Sequence, residues 1–189
     1  MKKIIDKFKQ AARVSGAALG RTDYNRWEKN ASETPSWDER NVILAKQIPA
    51  GTRVLDLGAG AQTLRKLLPH CTYVPCDLVQ STPDCIVCDF NKGVYPPPNQ
   101  KYDIVVGSGV MEYLREPLDF LRKIRTYAPV TLLSYQPLTE SFDKMARLKW
   151  GFVNHLTLVE LQNLLTEAGF RFEQIGAWQE QLIFRLTHG

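Results

Sequence analysis

A chain of 189 residues, 44% hydrophobic and 23% charged, has the length and composition of one globular domain with a modest extension. No apolar run approaches the ~20 residues that span a bilayer, and the start, MKKIIDKFKQAARVSGAALG, lacks the unbroken apolar core of a secretory signal, so cytoplasmic residence is expected. The net charge of +4 is uneven: residues 1–53 carry 11 Lys and Arg against 6 Asp and Glu, residues 54–189 carry 13 against 14, so attraction to an anionic small molecule, nucleic acid or membrane surface, if any, belongs to the N-terminal quarter.

In chain order, residues 3–14 form a basic amphipathic helix with Ile4, Ile5, Phe8 and Ala12 on one side. Residues 21–35 are polar and read as irregular. Ser36 and Glu39 form a capping-box pattern opening a helix to about Gln47. Residues 1–35 are thus an extension and 36–189 the domain. A first buried strand follows over Arg53–Leu57, then GAGAQ and a helix to about Leu68. Thr72–Cys76 and Cys85–Cys88 are the second and third strands. The proline-rich stretch from Phe90 to Lys101 has no helical period and reads as a loop in place of a crossover helix.

Tyr102–Gly107 is the fourth strand, Glu116–Tyr127 a helix and Val130–Tyr135 the fifth strand, with residues 139–150 helical beyond it. Thr157 and Glu160 make a second capping box, for a helix ending near Gly169. Phe170–Gly176 and Gln181–Leu186 close the chain as strands joined too tightly for a parallel crossover, so this pair is antiparallel. Strands alternating with helices give an α/β, doubly wound, mainly parallel sheet, whose ligands bind beyond the carboxyl ends of the strands.

Those ends carry a pattern. Gly58 and Gly60 allow a tight turn and close approach of the backbone to a ligand, and the next helix aims free N–H groups at the same point. Asp56 beside this turn would repel a pyrophosphate, and Thr63 stands where the dinucleotide fingerprint needs glycine. Both features weigh against a nucleotide-dependent oxidoreductase. Asp77, 21 residues after Asp56, can accept from ribose hydroxyls; Asp89 can accept from an adenine amine and Phe90 can lie against the ring. A single such acid is as readily a turn residue, but three in order after a glycine turn form a constellation. Cys85 and Cys88 make a C-x-x-C, but on a strand they face opposite ways, so they read as packed thiols, and no metal site is expected.

With VLDLGAG at 54–60, acids after the second and third strands, YDIVVGSGVMEYL in the fourth-strand segment and LTLVELQNLLTEAGF before the last two strands, the chain resembles the class I methyltransferases that use S-adenosylmethionine. The resemblance covers about residues 36–189. It implies a Rossmann-like seven-stranded sheet of order 3-2-1-4-5-7-6 with the last strand antiparallel. It implies S-adenosylmethionine as cofactor and S-adenosylhomocysteine as product. It places Asp56, Gly58, Ala59, Gly60, Asp77, Leu78, Asp89, Phe90, Ser108 and Gly109 on the cofactor. Two departures stand out: Gln62 replaces a frequent third glycine, and the helix between strands three and four is missing. Both leave room for a non-catalytic binding scaffold.

SGVM after the fourth strand, in place of a DPPY- or NPPY-type motif, argues against amino-methylation of DNA bases. A small-molecule acceptor is expected instead, with an RNA or protein acceptor as the alternative; the resemblance favours an oxygen on a metabolite, sugar or cell-envelope precursor. An activated methyl needs mainly alignment. A base is needed only for a hydroxyl or protonated amine, and the candidates are Glu112, Tyr113, Tyr135 and His155. Trp27, Trp37 and Trp150 could roof the acceptor, and Arg26 or Arg40 could bind an anionic group on it.

Overall fold

A computed structural model describes residues 2–30 and 38–189. Its elements are α1 (Lys2–Ala18), α2 (Tyr24–Asn30), α3 (Asp38–Ala45), β1 (Arg53–Leu57), α4 (Thr63–Lys66), β2 (Thr72–Asp77), β3 (Ile86–Val87), β4 (Ile104–Ser108), α5 (Pro117–Ile124), β5 (Val130–Tyr135), α6 (Lys144–Lys149), α7 (Leu158–Glu167), β6 (Phe170–Trp178) and β7 (Gln181–His188). The seven strands form one sheet in the order β3-β2-β1-β4-β5-β7-β6. The first five pair in parallel, while β7 runs antiparallel to both β5 and β6.

Alternating side chains on the central strands feed two cores. Leu55, Val105, Leu133 and Phe184 face one side, against Phe120 and Leu121 of α5 and Leu161 and Leu165 of α7. Their neighbours Val54, Val106, Leu132 and Ile183 face the other, against Leu44 of α3 and Leu64 of α4. A strand apolar on both faces must be covered on both faces, which is why the VLDL and IVV runs lie centrally. The third strand is shorter than expected: β3 covers only Ile86–Val87, so Cys85 and Cys88 flank it and do not sit on it, and with Cys76 they are buried free thiols.

Residues 24–30, read from sequence as irregular, are helical; the short polar segment gains its helix as it crosses the domain, with Trp27 against Tyr113. The basic helix α1 runs to Ala18, past the expected end at 14, and packs on α6. The stretch after β3 holds a 3-10 turn over Phe90–Lys92 and no α-helix. The Thr157–Glu160 capping box is present, with Glu160 N–H donating to the Thr157 hydroxyl at 3.2 Å and Thr157 N–H donating to the Glu160 carboxylate at 2.8 Å. Ser36 and Trp37, and the side chain of Arg26, lie outside the described residues. Among the described residues no helix is long and apolar enough to cross a membrane.

Candidate active site

The carboxyl ends of β1, β2, β3 and β4 open into one cleft, and all ten residues expected to hold the cofactor line it. β1 ends at Leu57, and Gly58 turns with φ of 77°; a Cβ there would lie 2.9 Å from Val110 Cγ2, so a side chain would push the turn away from the segment that follows β4. The Gly60 N–H donates to Asp77 Oδ2 at 2.7 Å and the Val79 N–H to Oδ1 at 3.2 Å. One carboxylate therefore ties the glycine turn to the loop after β2. A carboxylate has about four acceptor positions, so Asp77 keeps capacity for two further donors.

Gln62 stands at φ of 55° and ψ of 36°, a left-handed conformation that glycine adopts at least cost. Its side chain accounts for the exchange. The amide nitrogen donates to Ser81 Oγ at 2.9 Å and Thr82 Oγ1 at 2.7 Å, while its oxygen accepts from Arg65 at 2.8 Å. The missing third glycine is thus a buried bridge that fixes the loop between β2 and β3.

Asp56 is buried under the turn and accepts a short hydrogen bond from the Tyr73 hydroxyl. Burial pushes its pKa up to about 7, against the pull of the Tyr73 bond and Arg40 and reinforced by Asp77. The folded pKa lies above the unfolded value of 3.8, so the carboxyl's contribution to stability is full below about pH 4. It is lost as pH rises through about 7. Stability of the ligand-free protein, measured by urea unfolding, is expected to fall over that window, and Asp56→Asn should flatten the fall. Burial also raises Asp77 and Glu112, so the variant should reduce the slope without removing it.

Asp89 lines the cleft, but its Oδ2 already accepts from the Tyr24 hydroxyl at 2.6 Å and lies 3.1 Å from Lys92 Nζ. Phe90 leans on Tyr95 and Phe120 with ring centroids 5.2 Å away in each case. Thr22 and Trp27 form part of the wall, and Tyr24 holds Asp89 against it. At the end of β4, Gly109 has φ of 66°, and a Cβ there would come within 2.5 Å of an Arg40 nitrogen. Only glycine lets the guanidinium lie across this point.

A second cavity of about 600 Å3 adjoins the first and shares Arg40, Gly109 and Tyr113 with it. Phe142, Trp150, Phe152 and Trp178 supply its apolar wall. Tyr113 stands edge-on between Trp27 and Phe152, at 4.6 and 5.1 Å between ring centroids. Arg40 is held from behind: Nη1 donates to Gln181 Oε1 at 2.7 Å, and Gln181 Nε2 donates to Glu112 Oε1 at 3.2 Å.

Of the four candidate bases Tyr113 alone lines these two clefts. Glu112 is buried, accepts from the Gln136 N–H at 2.9 Å and orients the Gln181 amide, and burial raises its pKa. Tyr135 is buried with its hydroxyl bonded to Asn154 at 2.6 Å and Arg147 at 2.9 Å. His155 Nδ1 accepts from Arg147 at 3.3 Å, and burial with the Arg147 and Lys144 charges lowers its pKa. These three form a support network behind the second cavity. Sequence reasoning passed over Asn41 and Gln181, and took Thr63 only as the absence of a glycine. Asn41 Nδ2 donates to Thr63 Oγ1 at 2.5 Å across the cleft floor. Neither Asn41 nor Gln181 belongs to a motif; their one signal is a polar residue at an otherwise buried position.

A family model described as a methyltransferase domain matches residues 25–175. The chain belongs to that family. Its sheet has the strand order that the resemblance to the class I methyltransferases implies. The calicheamicin-biosynthesis methyltransferase CalO1, solved with S-adenosylhomocysteine, is similar at 20% identity and a TM-score of 0.61, over 80% of this chain and 54% of that one. The chain therefore spans about half the length of that structure. Magnesium protoporphyrin IX methyltransferase from Synechocystis PCC 6803, also with S-adenosylhomocysteine, is similar at 15% identity and a TM-score of 0.62, over 96% of this chain and 100% of that one. A family 2 O-methyltransferase from Planctomyces limnophilus, solved with apigenin, is similar at 13% identity and a TM-score of 0.60, over 79% and 56%. No curated protein sequence matches the chain.

Proposed function

We propose that this methyltransferase holds S-adenosylmethionine in the first cleft and serves a small-molecule acceptor in the second. The observation that carries the reading is the junction: the two cavities meet at Gly109 and Tyr113, so a donor and an acceptor can be brought end to end. The cleft suits the cofactor, because the free acceptor capacity of Asp77 fits ribose hydroxyls and the acidic floor at Asp56 suits a cationic amino-acid end. S-adenosylmethionine supplies a methyl group already activated on sulfur. The residues of the chain then have to align and exclude water. Tyr113, braced between Trp27 and Phe152, fixes the wall at the junction. Arg40, oriented through Gln181 by Glu112, gives the acceptor side a positive group suited to an anionic substituent.

The aromatic wall favours a ring or other flat apolar body on the acceptor, in keeping with the apigenin and porphyrin named for two of the similar structures. An oxygen is the proposed methyl site. Transfer of labelled methyl to a panel of phenolic and hydroxylated ring carboxylates tests this. Trp178 lines only the second cavity. Trp178→Ala is expected to raise acceptor KM about tenfold, the equivalent of ~1.4 kcal/mol of lost contact, with affinity for S-adenosylhomocysteine unchanged. An unchanged KM for every acceptor turned over would remove the second cavity as the acceptor site.

A further inference from the structure

We propose that α1 and α6 form a docking surface for an anionic lipid bilayer, placed beside the acceptor cavity. Toward its C-terminal end α1 is anchored: Ala17 is buried, and Arg13 Nε lies 3.6 Å from an Asp23 carboxylate oxygen. Residues 6–12 are all exposed, and Phe8 is 73% exposed in the middle of them. Lone exposed apolar residues are ordinary. Here α1 packs on α6, and α6 and the residue that ends it carry two more, Met145 at 52% and Trp150 at 53% exposure.

Charge selects the occupant. Residues 1–30 hold 8 Lys and Arg against 3 Asp and Glu, an excess larger than the whole chain's net +4. Exposed Lys7 and Lys9 flank Phe8, and exposed Lys144 and Lys149 immediately precede Met145 and Trp150. A helix with an apolar stripe bordered by lysines lies in a headgroup layer, stripe inward and ammonium groups at the phosphates. Tryptophan favours the same depth, with an apolar body and a polar edge. Nucleic acid would satisfy the lysines and leave the interleaved Phe8, Met145 and Trp150 in water.

Trp150 also lines the second cavity, so a bilayer seated on this surface lies against the mouth of that cavity. The acceptor is then an amphiphile dissolved in the bilayer, a ring- or chain-bearing molecule whose methylated group enters the cavity. This second step rests on the two-cleft reading above; the docking surface does not.

The test is sedimentation of the full chain with vesicles of phosphatidylglycerol mixed with phosphatidylcholine, and with phosphatidylcholine alone. Binding to the anionic vesicles is expected to be about fivefold or more higher and to weaken with added salt. Phe8→Asp and the double variant Lys7→Glu, Lys9→Glu should each lose most of it. All these side chains are exposed and outside both clefts, so titration with S-adenosylhomocysteine should match the parent protein. That titration separates a failed docking surface from a failed cofactor site. Equal sedimentation with both vesicle types, parent-like sedimentation of both variants, or a dimer in solution that depends on Phe8 would each overturn the proposal.

Discussion

Asp77→Ala is expected to weaken binding of S-adenosylhomocysteine about a hundredfold or more. The carboxylate has two tasks that no neighbour duplicates. It accepts the Gly60 N–H at 2.7 Å and the Val79 N–H at 3.2 Å, which sets the shape of the glycine turn. In the proposed complex its remaining positions meet the ribose hydroxyls. Hydrogen bonds to a charged group contribute about 1.5–3 kcal/mol each, so losing two corresponds to a factor of roughly a hundred or above. Asp77→Asn keeps one acceptor oxygen and should fall between the two. Calorimetric titration measures both, with a thermal melt to show that each variant is folded. An alanine variant that binds like the parent would place the ribose elsewhere.

The largest loss of stability is expected for Arg147→Ala. Arg147 is fully buried at 0% exposure. Its guanidinium donates to the Tyr135 hydroxyl at 2.9 Å, to the Asn154 carbonyl at 3.1 Å, to His155 at 3.3 Å and, by a short bond, to the Gln136 carbonyl. It also lies 5.0 Å from the centre of the Phe152 ring. Truncation leaves several acceptors buried without a donor and opens a cavity among aromatic rings. Together these cost about 4 kcal/mol, or a fall of about 10 °C in Tm for a chain of this size. Tyr135→Phe removes one hydroxyl and should cost about 1–2 kcal/mol. Arg147 lines neither cleft, so affinity for S-adenosylhomocysteine should be unchanged while the fold persists. A matching loss of affinity and stability would mean that this network shapes the cofactor site directly.

The sheet was legible because its central strands are apolar on both faces, and the turns after them carry glycine and acid at fixed places. The glycines of VLDLGAG follow β1, Asp77 ends β2 and Asp89 follows β3, and the topology alone brings strand ends to one edge. The antiparallel end was legible from the short span between Gly176 and Gln181. What escaped is held by contacts distant in sequence. Gln181 meets Arg40 across 141 positions, and no local pattern in β7 announces that bond. Tyr135 and His155 have the chemistry of a base, but Arg147, whose burial depends on the packing of α6, takes both into a structural network. Gln62 looked like a loss from the glycine motif, and only its bonds to Ser81 and Thr82 show why the exchange is tolerated.

The most direct test of the central claim is calorimetric titration of the whole chain with S-adenosylhomocysteine, with NADH as the control ligand. The two-cleft reading requires one molecule bound per chain and no comparable binding of NADH, since Asp56 and Thr63 disfavour a pyrophosphate at the turn. A folded protein that binds NADH and leaves S-adenosylhomocysteine unbound would contradict it.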